Sequence, residues 1–351
     1  MSYQLTIEPL GQSIEVEEDQ TILDACLRNG IWLPHACCHG LCATCKVEVV
    51  DGEIEHGAAS PFALMDSERS EGLCLACCAT MSSDVVISAD IEEDPDAQNH
   101  PVRDYEAVVS RIEDLTPTIK GVFLALEPGG KLPFQAGQYV NLHVPGVDEA
   151  RAFSLANAPQ EALLELNIRL VPGGQATTLI HQSLRVGDKL KVSGPYGRFF
   201  VRKSNPSAAL FIAGGSGLSS PKSMILDLLH EGFELPITLV QGARSRDELY
   251  YYDFFSTLAA VHDNFNYLPV LSGDGDPEWS GARGFAHEAA RAHFDGDFRG
   301  QRAYLCGPPP MIEAAIATLM QGRLFERDIF TEKFFSAADA QQIRSPLFRG
   351  L

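Results

Sequence analysis

Four cysteines constrain this 351-residue chain more than any other feature. Cys37, Cys42 and Cys45 follow the spacing C-x4-C-x2-C within His35-Ala36-Cys37-Cys38-His39-Gly40-Leu41-Cys42-Ala43-Thr44-Cys45, and a fourth thiol follows in Leu75-Ala76-Cys77-Cys78. That spacing ligates a 2Fe-2S cluster. Two sulfide-bridged irons need four thiolates converging on one small rhomb, and a tight loop delivers three of them if its backbone bends sharply. Gly40 permits the bend. A structural zinc site would more naturally rest on C-x2-C pairs alone, whereas here an x4 arm from Cys37 precedes the Cys42/Cys45 pair. Cys38 would leave only three residues before Cys42, so the spacing favours Cys37; it does not choose between Cys77 and Cys78. Cys26 and Cys74 read as thiols outside the site.

The length implies two or three domains. Hydrophobic residues at 45% against charged ones at 21% make the chain globular rather than disordered. No uninterrupted apolar run approaches the ~20 residues that cross a bilayer. The start Met-Ser-Tyr-Gln-Leu-Thr lacks the basic residues and apolar core of an export signal, so a soluble, cytoplasmic protein is expected. That compartment disfavours disulfides. A formal charge of -20 argues against nucleic acid or an anionic membrane as partner, because both would repel it. The same charge suits solubility or docking on a basic protein face.

In order, residues 3–9 and 13–17 alternate apolar and polar around Leu10-Gly11-Gln12, which predicts a hairpin. Thr21 is placed to cap a helix that Gly30 closes, with Ile22, Leu23, Cys26 and Leu27 on its buried side. A strand at 46–50 follows the cysteine segment, and one at 85–89 closes a small α+β unit over residues 1–92. Residues 93–103 are polar, proline-punctuated and aperiodic, and read as a linker. Short strand-like runs at 107–111, 120–126, 139–144, 163–170 and 189–192 imply an antiparallel β-barrel over 104–205. From 206 to 351, strands at 210–213, 237–241, 266–270 and 303–306 alternate with helices near 221–230, 248–260, 284–292 and 309–320. That pattern is a Rossmann-like parallel α/β sheet.

Two further constellations carry chemistry. A diphosphate needs a cation and backbone N–H donors, which Arg151 and the helix start after Pro172-Gly173-Gly174-Gln175-Ala176-Thr177 can supply. A flavin ring needs an apolar face and a donor near its reactive nitrogen, and Phe153 and Ser154 have those chemistries. Ala213-Gly214-Gly215-Ser216-Gly217 follows one strand and opens a helix, as does Leu305-Cys306-Gly307-Pro308 after another. In a parallel sheet both turns fall at the carboxyl edge, where ligands bind. In the turn Gly242-Ala243-Arg244-Ser245-Arg246-Asp247, the arginines suit a 2'-phosphate and Asp247 a ribose hydroxyl, which leaves NADH and NADPH both open.

Together these residues resemble the iron-sulfur flavoprotein reductases, in which a plant-type ferredoxin domain of β-grasp fold precedes a ferredoxin-NADP reductase-like module. The runs Ser60-Pro61-Phe62-Ala63-Leu64-Met65-Asp66 and Phe134-Gln135-Ala136-Gly137-Gln138-Tyr139, and residues 311–330, look like reductase components of bacterial phenol hydroxylases, relatives of toluene and methane monooxygenase reductases. The Leu-Ala-Cys run resembles the ferredoxin signature and selects Cys77. The resemblance implies FAD held by Arg151, Phe153, Ser154 and residues 174–177 (Gly174, Gln175, Ala176, Thr177). It implies NADH over Gly214, Gly215, Ser216 and Gly217 with Cys306 and Gly307 beside the nicotinamide. Glu332, Phe334 and Phe335 match a C-terminal segment by the flavin, with Ser154, Cys306 and Glu332 as the candidate catalytic groups. The family's usual motif tyrosine is Phe153 here, and the proline after the glycine turn is displaced to Pro221.

The implied activity is electron transfer from NADH through FAD and a 2Fe-2S cluster to a diiron hydroxylase. Alternatives are a reductase for a ring-hydroxylating dioxygenase, or a zinc or redox-sensing module joined to a flavodomain. Backbone N–H groups of the cysteine loop are expected to raise the cluster's potential.

Overall fold

The computed structural model describes residues 2–91, 94–273 and 276–334. The chain divides into two compact units, Met1–Arg103 and Asp104–Leu351.

In the first unit the hairpin strands β1 (Ser2–Glu8) and β2 (Gln12–Glu17) are followed by helix α1 (Ile22–Arg28). The Thr21 hydroxyl accepts the Asp24 N–H at 3.3 Å, which caps the helix as its sequence predicts. The helix ends on Asn29, with Gly30 just beyond in a left-handed conformation (φ +73°). Ile22, Leu23, Ala25 and Cys26 are buried, but Leu27 is only partly so. Beyond it run β3 (Lys46–Asp51), β4 (Ile54–Glu55), α2 (Asp66–Ser70), β5 (Leu73–Leu75), β6 (Thr80–Met81) and β7 (Val85–Ser88). The main sheet has the order β2-β1-β7-β3-β5, with β7 parallel to β1 and antiparallel to β3. The chain then returns along α1: Val102 is buried, and its N–H donates to the Leu27 carbonyl at 3.0 Å.

The second unit begins with an antiparallel barrel. Its strands are β8 (Arg103–Thr116), β9 (Ile119–Leu126), β10 (Tyr139–His143), β11 (Arg151–Ser154), β12 (Leu164–Arg169) and β13 (Lys189–Tyr196), with helix α3 (Gln175–Gln182) before β13. The order is β11-β10-β13-β8-β9-β12, and an antiparallel bridge between Leu155 and Leu166 joins the two outer strands. Alternation turns Val122, Leu124, Leu142, Leu166 and Val192 into the core.

The remainder is an α/β sheet of β14 (Ala208–Gly214), β15 (Ile237–Ala243), β16 (Phe265–Leu271), β17 (Ala282–Arg283), β18 (Gln301–Gly307) and β19 (Ile329–Lys333). Helices α4 (Ser219–His230), α5 (Tyr252–Val261), α6 (Ala286–His293) and α7 (Pro309–Gln321) connect them. The order is β17-β16-β15-β14-β18-β19, with every pair parallel. Four of these strands are legible in the sequence; β17 and β19 are additional. Both faces are covered, with Phe211, Leu239 and Tyr304 packing on one and Leu210, Ile212 and Leu305 on the other, as a parallel sheet requires. Each fully buried side chain of this size contributes roughly 1.5–3 kcal/mol. The edge strand β19 is anchored by Phe330, which stacks on Tyr304 of β18 with ring centroids 5.3 Å apart.

Candidate redox centres

The cysteine loop holds three left-handed residues, Cys38 (φ 57°), Gly40 (φ 71°) and Ala43 (φ 61°). For the two non-glycine residues this conformation costs about 1 kcal/mol or more each. The bend brings the His39 and Leu41 N–H groups to 3.5 Å from Cys37 Sγ. Cys37 is hydrogen-bonded to Cys42, and Cys45 to Cys77, so the thiols stand in two pairs. The bond from Cys37 pulls the Cys42 thiol down to about 4, while the same contact pushes Cys37 up. Cys45 is pushed up by its bond with Cys77 and by burial. Of the neighbouring thiols, Cys38 Sγ is 3.9 Å from the Ala36 carbonyl, while Cys78 Sγ touches a pair member, Cys77 Sγ, at 3.6 Å. Cys78 also packs over Gly40, where an added Cβ would meet its sulfur at 2.7 Å. Two thiol pairs with backbone donors aimed at a sulfur fit a two-iron cluster, and Cys37, Cys42, Cys45 and Cys77 are the residues that would hold it.

In the second unit, the predicted flavin residues Arg151, Phe153 and Ser154 form strand β11 itself. Arg151 turns its guanidinium to the Glu149 carboxylate (3.0 Å) and stays half-exposed, while Phe153 packs partly against the barrel core. Gly174 caps α3, and Thr177 Oγ1 folds back to accept the Val171 N–H at 3.2 Å. A Cβ at Gly174 would stand 2.7 Å from that hydroxyl, so the turn stays tight against the first N–H groups of the helix.

Two strand ends of the sheet meet backbone to backbone. After β14 comes a 3-10 turn, Gly215–Leu218, and a Cβ on Gly217 would fall 2.4 Å from the Cys306 carbonyl oxygen. Gly307 (φ +146°) closes on the Gly214 carbonyl, which an added Cβ would meet at 3.0 Å. The predicted Gly214, Gly215, Ser216, Gly217, Cys306 and Gly307 are thus one continuous edge.

At that edge three donors converge on a single carboxylate oxygen. Glu332 accepts from Ser220 at 2.7 Å, from Ser154 at 3.2 Å and from the Cys306 thiol at 3.5 Å. Burial raises the Glu332 carboxyl above the ordinary carboxylate range, opposed by those hydrogen bonds. Burial, and then the Glu332 charge, pushes the Cys306 thiol well above its ordinary value. Ser154, Cys306 and Glu332 are thereby brought together, whereas Phe335 lies outside the described residues. The carboxylate oxygen fixes two hydroxyls and a thiol in place.

Sequence reasoning passed over two members of this region. Ser220 stands in the helix-opening run Ser219-Ser220-Pro221, where a hydroxyl after a glycine turn is a usable signal. Asn167 is the second, on the face of β12 turned away from the barrel core. Beside the edge lies a buried network: Lys222 Nζ meets Glu165 at 2.7 Å and the Ala156 carbonyl at 3.0 Å, and Tyr251 donates to Glu165 at 2.6 Å.

Family models match in the order of these units: a 2Fe-2S iron-sulfur cluster binding domain over residues 5–82, an oxidoreductase FAD-binding domain over 106–201, and an oxidoreductase NAD-binding domain over 211–316. The chain is 62% identical to the reductase component of phenol 2-monooxygenase from Pseudomonas sp. (strain CF600), covering 99% of both chains. It is 58% identical to the phenol hydroxylase P5 protein of Acinetobacter pittii (strain PHEA-2), again over 99% of each. Among solved structures, the ferredoxin reductase in carbazole 1,9a-dioxygenase superposes with a TM-score of 0.76 at 27% identity, over 95% of this chain and 99% of that one. The 2Fe-2S description replaces the zinc alternative for the cysteine loop. This chain belongs to the family of phenol 2-monooxygenase reductase components, iron-sulfur flavoproteins that carry a 2Fe-2S cluster, FAD and an NADH site on one polypeptide.

Proposed function

We propose that this protein draws electrons from NADH and delivers them to the diiron hydroxylase of a phenol monooxygenase. The observation that carries the reading is the convergence of Ser154, Ser220 and Cys306 on Glu332, where a barrel strand, a helix start and two sheet strands meet beside the glycine turn. The likeness to two phenol-oxidising systems over nearly the whole chain supports the substrate class. When bound, FAD would supply acceptance of an electron pair and its release in single electrons, and a 2Fe-2S cluster would supply one-electron transfer.

The residues prepare that exchange. Gly217 and Gly307 let two backbones approach closely enough for a dinucleotide to cross the strand ends. Ser154 donates its hydroxyl to Glu332, which fixes that side chain on the face where the flavin would lie. The buried Cys306 thiol and the half-buried Glu332 carboxyl limit water beside the transfer. Arg151 and the Gly174 turn supply the cation and N–H donors for a diphosphate. In the other unit, N–H groups on Cys37 stabilise added negative charge on the sulfur.

Mixing the purified protein with a purified diiron phenol hydroxylase tests the assignment. NADH-dependent phenol oxidation that requires both proteins is expected. Reduction of flavin and cluster without any hydroxylation would overturn the partner while leaving the reductase reading intact.

A further inference from the structure

We propose that Asn167 positions the flavin, its carboxamide pairing with the pyrimidine edge of the isoalloxazine by accepting from the imide N–H and donating to a flanking carbonyl. The inference rests on the reading that FAD lies over Ser154.

Strand β12 reads Leu-Glu-Leu-Asn-Ile-Arg, and its three aliphatic residues are buried in the barrel core. Alternation puts Glu165, Asn167 and Arg169 on the opposite face. That face is covered too: Glu165 is paired to Lys222 and Tyr251, and a Cβ on Gly215 would lie 3.3 Å from the Arg169 guanidinium. Asn167 is only 5% exposed, yet neither its amide oxygen nor its amide nitrogen has a hydrogen-bond partner. Buried amides are almost always satisfied, because stripping water from one without replacement is strongly unfavourable.

The register says what this amide borders. Leu155 bridges Leu166 antiparallel, and the Ala156 N–H donates to the Glu165 carbonyl at 2.8 Å. One step along, Ser154 and Asn167 stand opposite one another with side chains on the same face. Ser154 is the residue bound to Glu332. The orphaned amide therefore adjoins the transfer site.

A carboxamide presents one acceptor and one donor in a fixed planar fork. The flavin pyrimidine edge presents the matching sequence of carbonyl, imide N–H and carbonyl. The carboxamide of nicotinamide offers the same chemistry, but NADH leaves at every turnover and would abandon the amide each time. A resident ring does not.

The test strips FAD from the full-length protein and titrates it with FAD and with 3-methyl-FAD, whose imide N–H is blocked, reading flavin fluorescence. The wild type should prefer FAD by about tenfold, the worth of one or two hydrogen bonds. Asn167→Leu should weaken FAD by about tenfold and abolish the preference. The isosteric Asn167→Asp keeps an acceptor, so it should retain discrimination while lowering the flavin midpoint potential through its charge. An Asn167→Leu protein that discriminates as the wild type does overturns the proposal, as does one with unchanged FAD affinity and a raised KM for NADH, which would give the amide to nicotinamide. Wild-type protein that takes up no stoichiometric FAD would instead overturn the reading on which the inference rests.

Discussion

Cys306 and Glu332 are register partners on adjacent parallel strands, and the thiol donates to the carboxylate at 3.5 Å. A cysteine at the strand end is thus held by a residue of a separate strand that closes the sheet. Because the same carboxylate oxygen accepts from Ser154 and Ser220, its removal frees three groups at once. Glu332→Ala should slow flavin reduction by NADH by about a hundredfold in stopped-flow absorbance, the scale on which misplaced groups cost rate. Glu332→Gln, which keeps a hydrogen-bonding group there, should lose much less.

The same residue links stability to pH. Burial raises the folded-state Glu332 carboxyl above 4.5, so the folded chain binds this proton more tightly than the unfolded one. The stabilisation is complete below the unfolded value and is lost as pH rises through the folded value. Glu332→Gln cannot ionise. Urea midpoints of wild type and variant, measured on FAD-stripped protein from acid to neutral pH, should diverge in the variant's favour as pH rises. Parallel curves would contradict a raised carboxyl.

The thiol pairing predicts which cysteines matter. Cys45→Ser should abolish the cluster's iron content and visible bands, and with them cytochrome c reduction, while FAD-dependent ferricyanide reduction by NADH persists. Cys38→Ser and Cys78→Ser should retain iron, since the pairing bonds run from Cys37 to Cys42 and from Cys45 to Cys77. Iron analysis of the three variants decides the assignment.

Gly217→Ala should damage the dinucleotide edge. The new methyl would fall 2.4 Å from the Cys306 carbonyl oxygen, forcing the two strand ends apart. The KM for NADH should rise about tenfold or more, with FAD content unchanged. Unaltered kinetics would show that this close approach is dispensable.

Lys222→Met should destabilise the second unit by about 3–5 kcal/mol, because it leaves Glu165 charged and buried without its partner. The pair is dry, with side chains 6% and 5% exposed. Lys222→Met combined with Glu165→Leu should recover much of the loss in denaturant melts, since an apolar pair removes the orphaned charge.

The cysteine loop was legible because its chemistry is local: spacing and one glycine suffice to predict where three thiols go. The same holds for the Thr21 cap and for the four strongly apolar strands that opened the sheet reading. Strand β19 was not legible, since five residues at a sheet edge are specified by the register and packing offered by β18 and Tyr304 rather than by their own pattern. Glu332 entered through family resemblance, yet its contacts with Ser220 and Cys306 depend on that register. Asn167 was hidden for a related reason. Alternation marks the face away from the barrel core as polar, and polarity alone does not reveal that this face is buried against Lys222 and the glycine turn.

An anaerobic titration of the intact protein with NADH, followed by visible absorbance, reads both centres together. Bleaching of the flavin and cluster bands in the wild type, reduced to flavin bleaching alone in Cys45→Ser, is the predicted result. Protein whose flavin is reduced while its cluster bands remain oxidised at excess NADH, or which holds no iron when prepared anaerobically, would contradict electron transfer through these two sites.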